Sequence, residues 1–208
     1  MKTLILIPSR LSATRLPGKP LLKINGISVI SHVVKRAKEA SIGEVCVATE
    51  DKEIIMDVEK NGGQAILTSN KPKTGTDRIY EALTKLGRTD VDLVMNLQGD
   101  EPLINLDDIR NLNNQMIKHK SCLGTLASPV TSKDLLRNQN VVKVTTKKNL
   151  NDINFPEAKN FFRQSNNICD NTYHHLGIYC YTYDTLKKFV SFPQSLNEQK
   201  NRLEQLRA

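Results

Sequence analysis

The stretch Thr3-Leu4-Ile5-Leu6-Ile7-Pro8-Ser9-Arg10-Leu11-Ser12-Ala13-Thr14-Arg15-Leu16-Pro17-Gly18-Lys19-Pro20 decides the fold. Residues 3–7 form a continuous apolar run ended by Pro8. A run with no polar alternation reads as a strand buried on both faces, the habit of parallel sheets. A loop with small residues, Gly18 and three cations, Arg10, Arg15 and Lys19, follows directly. Loops at the C-terminal ends of such strands are where open α/β sheets bind their ligands.

The pattern repeats outward from there. Asn25-Gly26 is a turn signal, and Val29, Ile30, Val33, Val34 and Ala37 then recur at helical spacing, with Lys35, Arg36 and Lys38 opposite. Gly43 is expected to end that helix, and Val45-Cys46-Val47-Ala48 reads as a second strand. Residues 51–61 read as a helix stopped by Gly62-Gly63, and Ala65-Ile66-Leu67 as a third strand. Thr76 is the expected N-cap of a helix with Asp77 in its first turn and Ile79, Leu83 and Leu86 buried. Leu93-Val94-Met95-Asn96-Leu97 is the next strand, and Asn105 or Asp107 opens a helix carrying Leu106, Ile109, Leu112 and Met116. Alternating strands and helices predict an α/β fold: a mostly parallel sheet with helices on both faces and right-handed crossovers.

The second half is less regular. Residues 122–130 and 141–146 look like strands, whereas 147–171 is polar, rich in Asn and broken by Pro156. Residues 129–174 are therefore expected as an irregular excursion and a candidate dimer-forming segment. Strand character returns at 176–181; Tyr183, Leu186 and Val190 suit a helix, and Leu196, Leu203 and Leu206 a last one. Without a repeat or a low-complexity linker, residues 1–208 read as a single domain.

With 208 residues, 38% of them hydrophobic and 25% charged, the chain can bury about 70% of its extended surface and fold without disulfides or a structural metal. This composition excludes disorder, collagen, coiled coil and disulfide-stapled mini-proteins. No apolar run is long enough for a transmembrane helix, and the N-terminal run is too short for a signal peptide. The four cysteines show no CxxC or zinc spacing. Cys46, Cys122 and Cys180 sit in strand-like runs, so buried, reduced thiols and a cytoplasmic setting are expected for the set, Cys169 included.

Thirty Lys and Arg against 22 Asp and Glu give a net charge of +8, which calls for an anionic partner. Nucleic acid is disfavoured: the cations are dispersed, with no cluster longer than pairs such as Lys147-Lys148 and Lys187-Lys188, Trp is absent, and no zinc-finger or RNP signature occurs. A phosphate-bearing small molecule accounts for the same bias. The first loop fits it, since phosphate binding needs exposed backbone N–H groups and point charges; a solvated basic loop is the plainer alternative. It is neither a Walker A loop, because Lys19 is followed by Pro20, nor a GxGxxG turn. In Gln98-Gly99-Asp100-Glu101-Pro102, after another apolar strand, Gly99 allows a close approach and Asp100 projects into the crevice. A carboxylate beside a phosphate loop is how Mg²⁺ is usually held; a turn with a surface carboxylate is the alternative.

These segments together resemble the cytidylyltransferases that activate 3-deoxy-manno-octulosonate (Kdo). The resemblance rests on IPSRLSATRLPGKPL (7–21), INGISVISHVVKRA (24–37), VATED (47–51), KTGTDR (73–78), LQGDEP (97–102), NVVKV (140–144), HLGIYCY (175–181) and LEQLR (203–207), in order along nearly the whole chain. It implies a Rossmann-like nucleotidyltransferase fold, a homodimer without nucleic-acid or membrane partners, and CTP and Kdo as substrates. The implied reaction is CTP + Kdo → CMP-Kdo + pyrophosphate, which supplies lipopolysaccharide biosynthesis in Gram-negative bacteria. The attack is direct and in line: the 2-hydroxyl of Kdo displaces pyrophosphate from the α-phosphate, with Mg²⁺ on the phosphates.

Residue by residue, the resemblance gives Arg10 and Lys19 to the triphosphate, and Lys19 and Asp100 to catalysis, with Asp100 the Mg²⁺ ligand. Thr74, Gly75 and Thr76 border the cytosine and ribose, Thr74 replacing the usual Ser. Gln98 lies near both substrates. Arg163, His175, Tyr179, Glu204 and Gln205 match sugar-acid contacts, although His175 taken alone also reads as a packed histidine. His32 and His119 are expected to be structural, and His174 stands where the family often has Arg. The stretch 164–170 lacks the family's Pro and Trp, and the Val-Asp-Thr motif with a second Mg²⁺ ligand is absent from the sequence. The resemblance therefore implies a chain without the C-terminal end of the family fold, folded but turning over slowly or not at all. The alternatives left open are a cytidylyltransferase for another sugar acid or sugar phosphate, and a non-catalytic nucleotide-binding form.

Overall fold

The apolar run at the N-terminus forms strand β1 (Thr3–Ser9), in which every residue but Pro8 is buried. The computed structural model describes residues 1–12, 16–151, 154–164 and 170–208; Arg15 and Cys169 lie outside the described residues. After β1 come a 3₁₀ turn (Lys19–Leu21), the short hairpin β2 (Lys23–Ile24) and β3 (Ile27–Ser28), and α1 (Val29–Glu39), capped by Ser28. There follow β4 (Gly43–Thr49), α2 (Lys52–Lys60), β5 (Ala65–Leu67), α3 (Gly75–Lys85), β6 (Leu93–Asn96), α4 (Leu106–His119) and β7 (Leu123–Pro129). The chain closes with α5 (Lys133–Arg137), β8 (Lys143–Thr146), β9 (Ala158–Phe162), β10 (Thr172–Thr182), α6 (Tyr183–Ser191), α7 (Leu196–Asn201) and a 3₁₀ turn (Glu204–Arg207).

The chain divides into two compact units, Met1–Gly124 with Ile178–Val190, and Thr125–Gly177 with Ser191–Ala208. In the first, the strand order is β5-β4-β1-β6-β10. The first four strands are parallel; β10 runs antiparallel to β6, with Tyr179 opposite Asn96. Strand side chains alternate between faces. Leu4, Leu6, Cys46, Ala48, Val94 and Tyr181 meet Ile79, Ala82 and Leu83 of α3 and Leu186 and Phe189 of α6 in one cluster. Ile5, Ile7, Val47 and Met95 are equally buried on the opposite face, where α1 brings Ile30. Each such aliphatic side chain contributes about 1.5–3 kcal/mol of burial free energy. This is the expected α/β layering with helices on both faces.

In the second unit β8 lies between β9 and the first residues of β10, antiparallel to both, with His174 opposite Lys143. The excursion at 129–174 thus contains α5, β8, β9 and the start of β10. A buried ion pair ties its last two elements: Arg207 donates to both carboxylate oxygens of Glu198, at 3.0 and 2.7 Å.

Four local expectations are corrected. Gly43 does not end α1; Ser41 takes the left-handed conformation there (φ 55°), and Gly43 begins β4. A Cβ on Gly43 would lie 1.9 Å from the Thr3 carbonyl oxygen, so its smallness serves the β1–β4 approach. The N-cap of α3 is Thr74, not Thr76: Thr74 Oγ1 accepts from Asp77 N, and the Asp77 carboxylate accepts from Thr74 N. Cys122 is exposed because it precedes β7, its carbonyl accepting from Thr182 N while its thiol points out. The last helix is broken at Arg202 (φ 52°), leaving Leu196 84% exposed and turning Leu203 inward.

Candidate active site

The C-terminal ends of β1 and β6 and the N-terminus of α3 enclose a cleft of about 310 Å³ in the first unit. Pro8, Ser9 and Arg10 enter it from β1, Lys19 and Pro20 from the 3₁₀ turn, Pro72 to Gly75 and Arg78 from the approach to α3, and Gln98, Gly99 and Asp100 from the loop after β6. Two sequence segments are thereby joined by residues 81 apart: Lys19 Nζ donates to Asp100 Oδ2 at 2.8 Å. Asp100 is half exposed, and its Oδ1 meets no donor among the described residues. The lining carries four cations, Arg10, Lys19, Lys73 and Arg78, against one carboxylate. The first-turn amides of α3, which lack partners inside the helix, add their dipole at Gly75. Cations and a helix N-terminus around one polar cleft suit a polyphosphate.

Close packing sets this geometry. A Cβ at Gly99 would sit 2.9 Å from the Pro8 carbonyl oxygen and 3.2 Å from Ile30 Cδ1; one at Gly75 would lie 3.3 Å from Pro8 Cγ. Both walls therefore rest on Pro8. Beneath them Arg78, only 3% exposed, donates to Glu50 at 2.7 Å, Thr68 Oγ1 at 2.6 Å and the Ser69 carbonyl at 3.2 Å. It clamps the ends of β4 and β5 to α3. Ser9 Oγ, at the end of β1, is buried with no hydrogen-bond partner among the described residues. Burial, and then the neighbouring Asp100 charge, raise the Glu101 carboxyl above its ordinary value, partly offset by Lys19.

Arg10, Lys19, Thr74, Gly75, Gln98 and Asp100 all line this cleft. Thr76 does not: it is buried in the first turn of α3, where its hydroxyl accepts from Asn96 Nδ2 at 3.2 Å and lies 3.5 Å from Tyr181 OH. Lys73 and Arg78, both within the Lys73–Arg78 motif, also line the cleft, as does Ser9, which carries no signal in the sequence beyond its place at a strand end. Tyr179 belongs to the first unit, packed beside Tyr181 with ring centres 6.1 Å apart.

Arg163, His175, Glu204 and Gln205 belong to the second unit. Arg163 is half buried and donates only to main-chain carbonyls: Nε to Asn201 at 3.2 Å, Nη1 to Gln139 at 3.2 Å and Asn140 at 3.5 Å, Nη2 to Arg202 at 3.3 Å. One Nη2 N–H of its five donors meets no acceptor among the described residues. His175 is buried, with Nε2 2.9 Å from Thr125 Oγ1 and its ring edge-on to Phe161 at 5.0 Å. Burial, with a smaller effect of His174, lowers its pKa to about 4, so it is neutral at neutral pH and acts as a hydrogen-bonding group, not a cation.

The cytidylyltransferase family profile matches residues 4–208. A 3-deoxy-manno-octulosonate cytidylyltransferase of Nitrobacter winogradskyi is 41% identical over 214 residues, covering 100% of this chain and 82% of that protein. One from Rhodopseudomonas palustris is 44% identical over 209 residues, covering 100% and 84%. The solved structure of CMP:2-keto-3-deoxy-manno-octonic acid synthetase complexed with CTP superimposes with a TM-score of 0.88 at 36% identity, covering 100% of this chain and 85% of that one.

Proposed function

The chain belongs to the cytidylyltransferase family, and from that premise we propose that it transfers CMP from CTP to Kdo and releases pyrophosphate. The observation that carries the reading is the cationic cleft that joins the loop after β1 to Gln98-Gly99-Asp100, in a chain that superimposes on a CTP-bound synthetase. Arg10, Lys19 and Lys73 hold the triphosphate and neutralise the departing pyrophosphate, whose charge grows as the Pα–O bond breaks. Thr74 and Gly75 border the nucleoside, and Gln98 stands on the same wall. The Kdo 2-hydroxyl oxygen bonds to Pα as the Pα–O bond to pyrophosphate breaks, its proton passing to solvent, and no side-chain nucleophile is involved; the protein positions the reactants. Arg163, His175, Tyr179, Glu204 and Gln205 are the sugar-acid residues of this proposal.

Mg²⁺ belongs to the same reading. A single carboxylate with one oxygen free of donors, beside cations that hold phosphates, fits an ion that arrives largely on its substrate and keeps several waters. Asp100 would hold it, and the ion supplies charge neutralisation on the phosphates. A homodimer and a cytoplasmic setting complete the proposal; the free thiols of Cys46, Cys122 and Cys180 support the latter. Among the described residues no helix is long and apolar enough to cross a membrane. Titration calorimetry tests the nucleotide side: CTP is expected to bind more tightly than ATP or GTP, and ATP binding as tightly as CTP would overturn it.

A further inference from the structure

Lys143 is a fully buried lysine. Its Nζ donates to three main-chain carbonyls, Asn138 at 2.6 Å, Val141 at 2.9 Å and Arg163 at 2.8 Å. Three acceptors match the three N–H groups of an ammonium, whereas a neutral amine would turn its lone pair towards one carbonyl. Arg163 hangs from the last of those carbonyls, and its own guanidinium is spent on four more. Among the described residues every hydrogen bond of the two cations goes to a main-chain carbonyl and none to a carboxylate. Their fields reach one another and beyond: Arg163 opposes the charge on Lys143, after burial, and Lys143 opposes protonation of His174.

Carbonyl dipoles solvate two cations without cancelling their charge, so this part of the second unit keeps a positive pole with no counterion among the described residues. Such an arrangement is costly unless an anion completes it. The half-exposed member of the pair, Arg163, has one N–H without an acceptor among the described residues, and the buried member holds the Arg163 carbonyl.

We infer that Lys143 is a positioning residue for the carboxylate of the sugar acid: by pinning the Arg163 carbonyl and the loop at 138–141 it aims the remaining Arg163 N–H, and it adds a second positive charge behind that donor. The inference rests on the sugar-acid reading above and deepens it. Arg163 alone can offer the anion a single hydrogen bond, not a bidentate fork, so discrimination between a carboxylate and a neutral isostere falls on charge.

The test compares Kdo with its C1 carboxamide at saturating CTP in the wild-type chain, Lys143→Gln and Lys143→Met. The wild type is expected to show a KM at least 30-fold higher for the carboxamide. In the variants KM for Kdo should rise at least tenfold, KM for the carboxamide less than threefold, and KM for CTP less than twofold, a split that general loosening of the fold would not produce. Variants that retain the wild-type preference overturn the inference. Should both variants fail to fold, the wild type decides: KM for Kdo must rise with ionic strength while that for the carboxamide stays flat, and a flat Kdo profile or equal use of the two overturns it. A wild-type chain that turns over neither compound with CTP is a different result, which overturns the sugar-acid reading and this inference with it.

Discussion

Gly99→Ala is the sharpest small perturbation of the cleft. The backbone there is not in the left-handed region, so alanine adds no backbone strain and the effect isolates space. The new Cβ would lie 2.9 Å from the Pro8 carbonyl oxygen, 3.2 Å from Ile30 Cδ1 and 3.4 Å from Ile7 Cγ2. The isoleucine tip can rotate; the carbonyl cannot, because Pro8 is held in β1 opposite Ala48 of β4. Relief to an ordinary contact needs about 0.5 Å, and the movable partner is the loop that carries Gln98 and Asp100. Overpacking of this kind costs about 1–3 kcal/mol of stability. Since misplacement by about 1 Å is worth roughly 100-fold in rate, half of that predicts about a tenfold loss of kcat/KM for CTP. Urea denaturation and initial-rate kinetics read the two effects separately. Gly87→Ala is the control: its φ of 63° strains an alanine by about 1–2 kcal/mol, with nothing within 4 Å and no place in the cleft lining, so stability should fall and kcat/KM should not. If Gly99→Ala keeps kcat/KM within twofold of wild type, the close approach to Pro8 does not position the catalytic loop.

Further outcomes follow from single groups. Lys19→Ala and Arg10→Ala should each cost about 1.5–3 kcal/mol of transition-state binding, read as kcat/KM for CTP, with little change in unfolding midpoint; unchanged kinetics in both would make the loop a solvated basic turn. Arg78→Met leaves Glu50 without its partner in a largely buried site and should destabilise the fold by about 3–5 kcal/mol, measured by denaturation; a loss below 1 kcal/mol would refute the clamp. His175 has a native pKa of about 4, below its ordinary 6.5. Its contribution is therefore complete above pH 6.5 and is lost as pH falls towards 4, by ~3 kcal/mol in all. His175→Gln should flatten that part of the acid limb of unfolding free energy against pH; an identical slope in the variant would refute it.

What the sequence made legible was whatever is local. The run at 3–7, the loop with Arg10 and Lys19, and Gln98-Gly99-Asp100 are contiguous signals, and parallel-sheet topology brings the ends of β1 and β6 side by side. Gly43 was read by a local rule, the helix stop, when its constraint is the carbonyl of Thr3 forty residues away. Thr76 is the expected N-cap, but the Asp three residues after Thr74 completes a capping box and marks Thr74 instead. Strand β9, Ala-Lys-Asn-Phe-Phe, is largely exposed and shows no alternation, so it disappeared into the polar stretch. The division into two units leaves no linker because the chain crosses it three times within or beside regular elements, near the start of β7, inside β10 and at the end of α6. The surroundings of Lys143 and Arg163 were invisible for another reason: their partners are main-chain carbonyls, which no residue type announces.

The central claim is tested most directly by mixing the purified chain with CTP, Kdo and Mg²⁺ and following CTP, pyrophosphate and the sugar nucleotide in one reaction. The account predicts that pyrophosphate and CMP-Kdo appear in equal amounts as CTP disappears, with ATP and GTP poor replacements for CTP. Pyrophosphate release that does not depend on Kdo, or no CMP-Kdo while CTP binds, would contradict it.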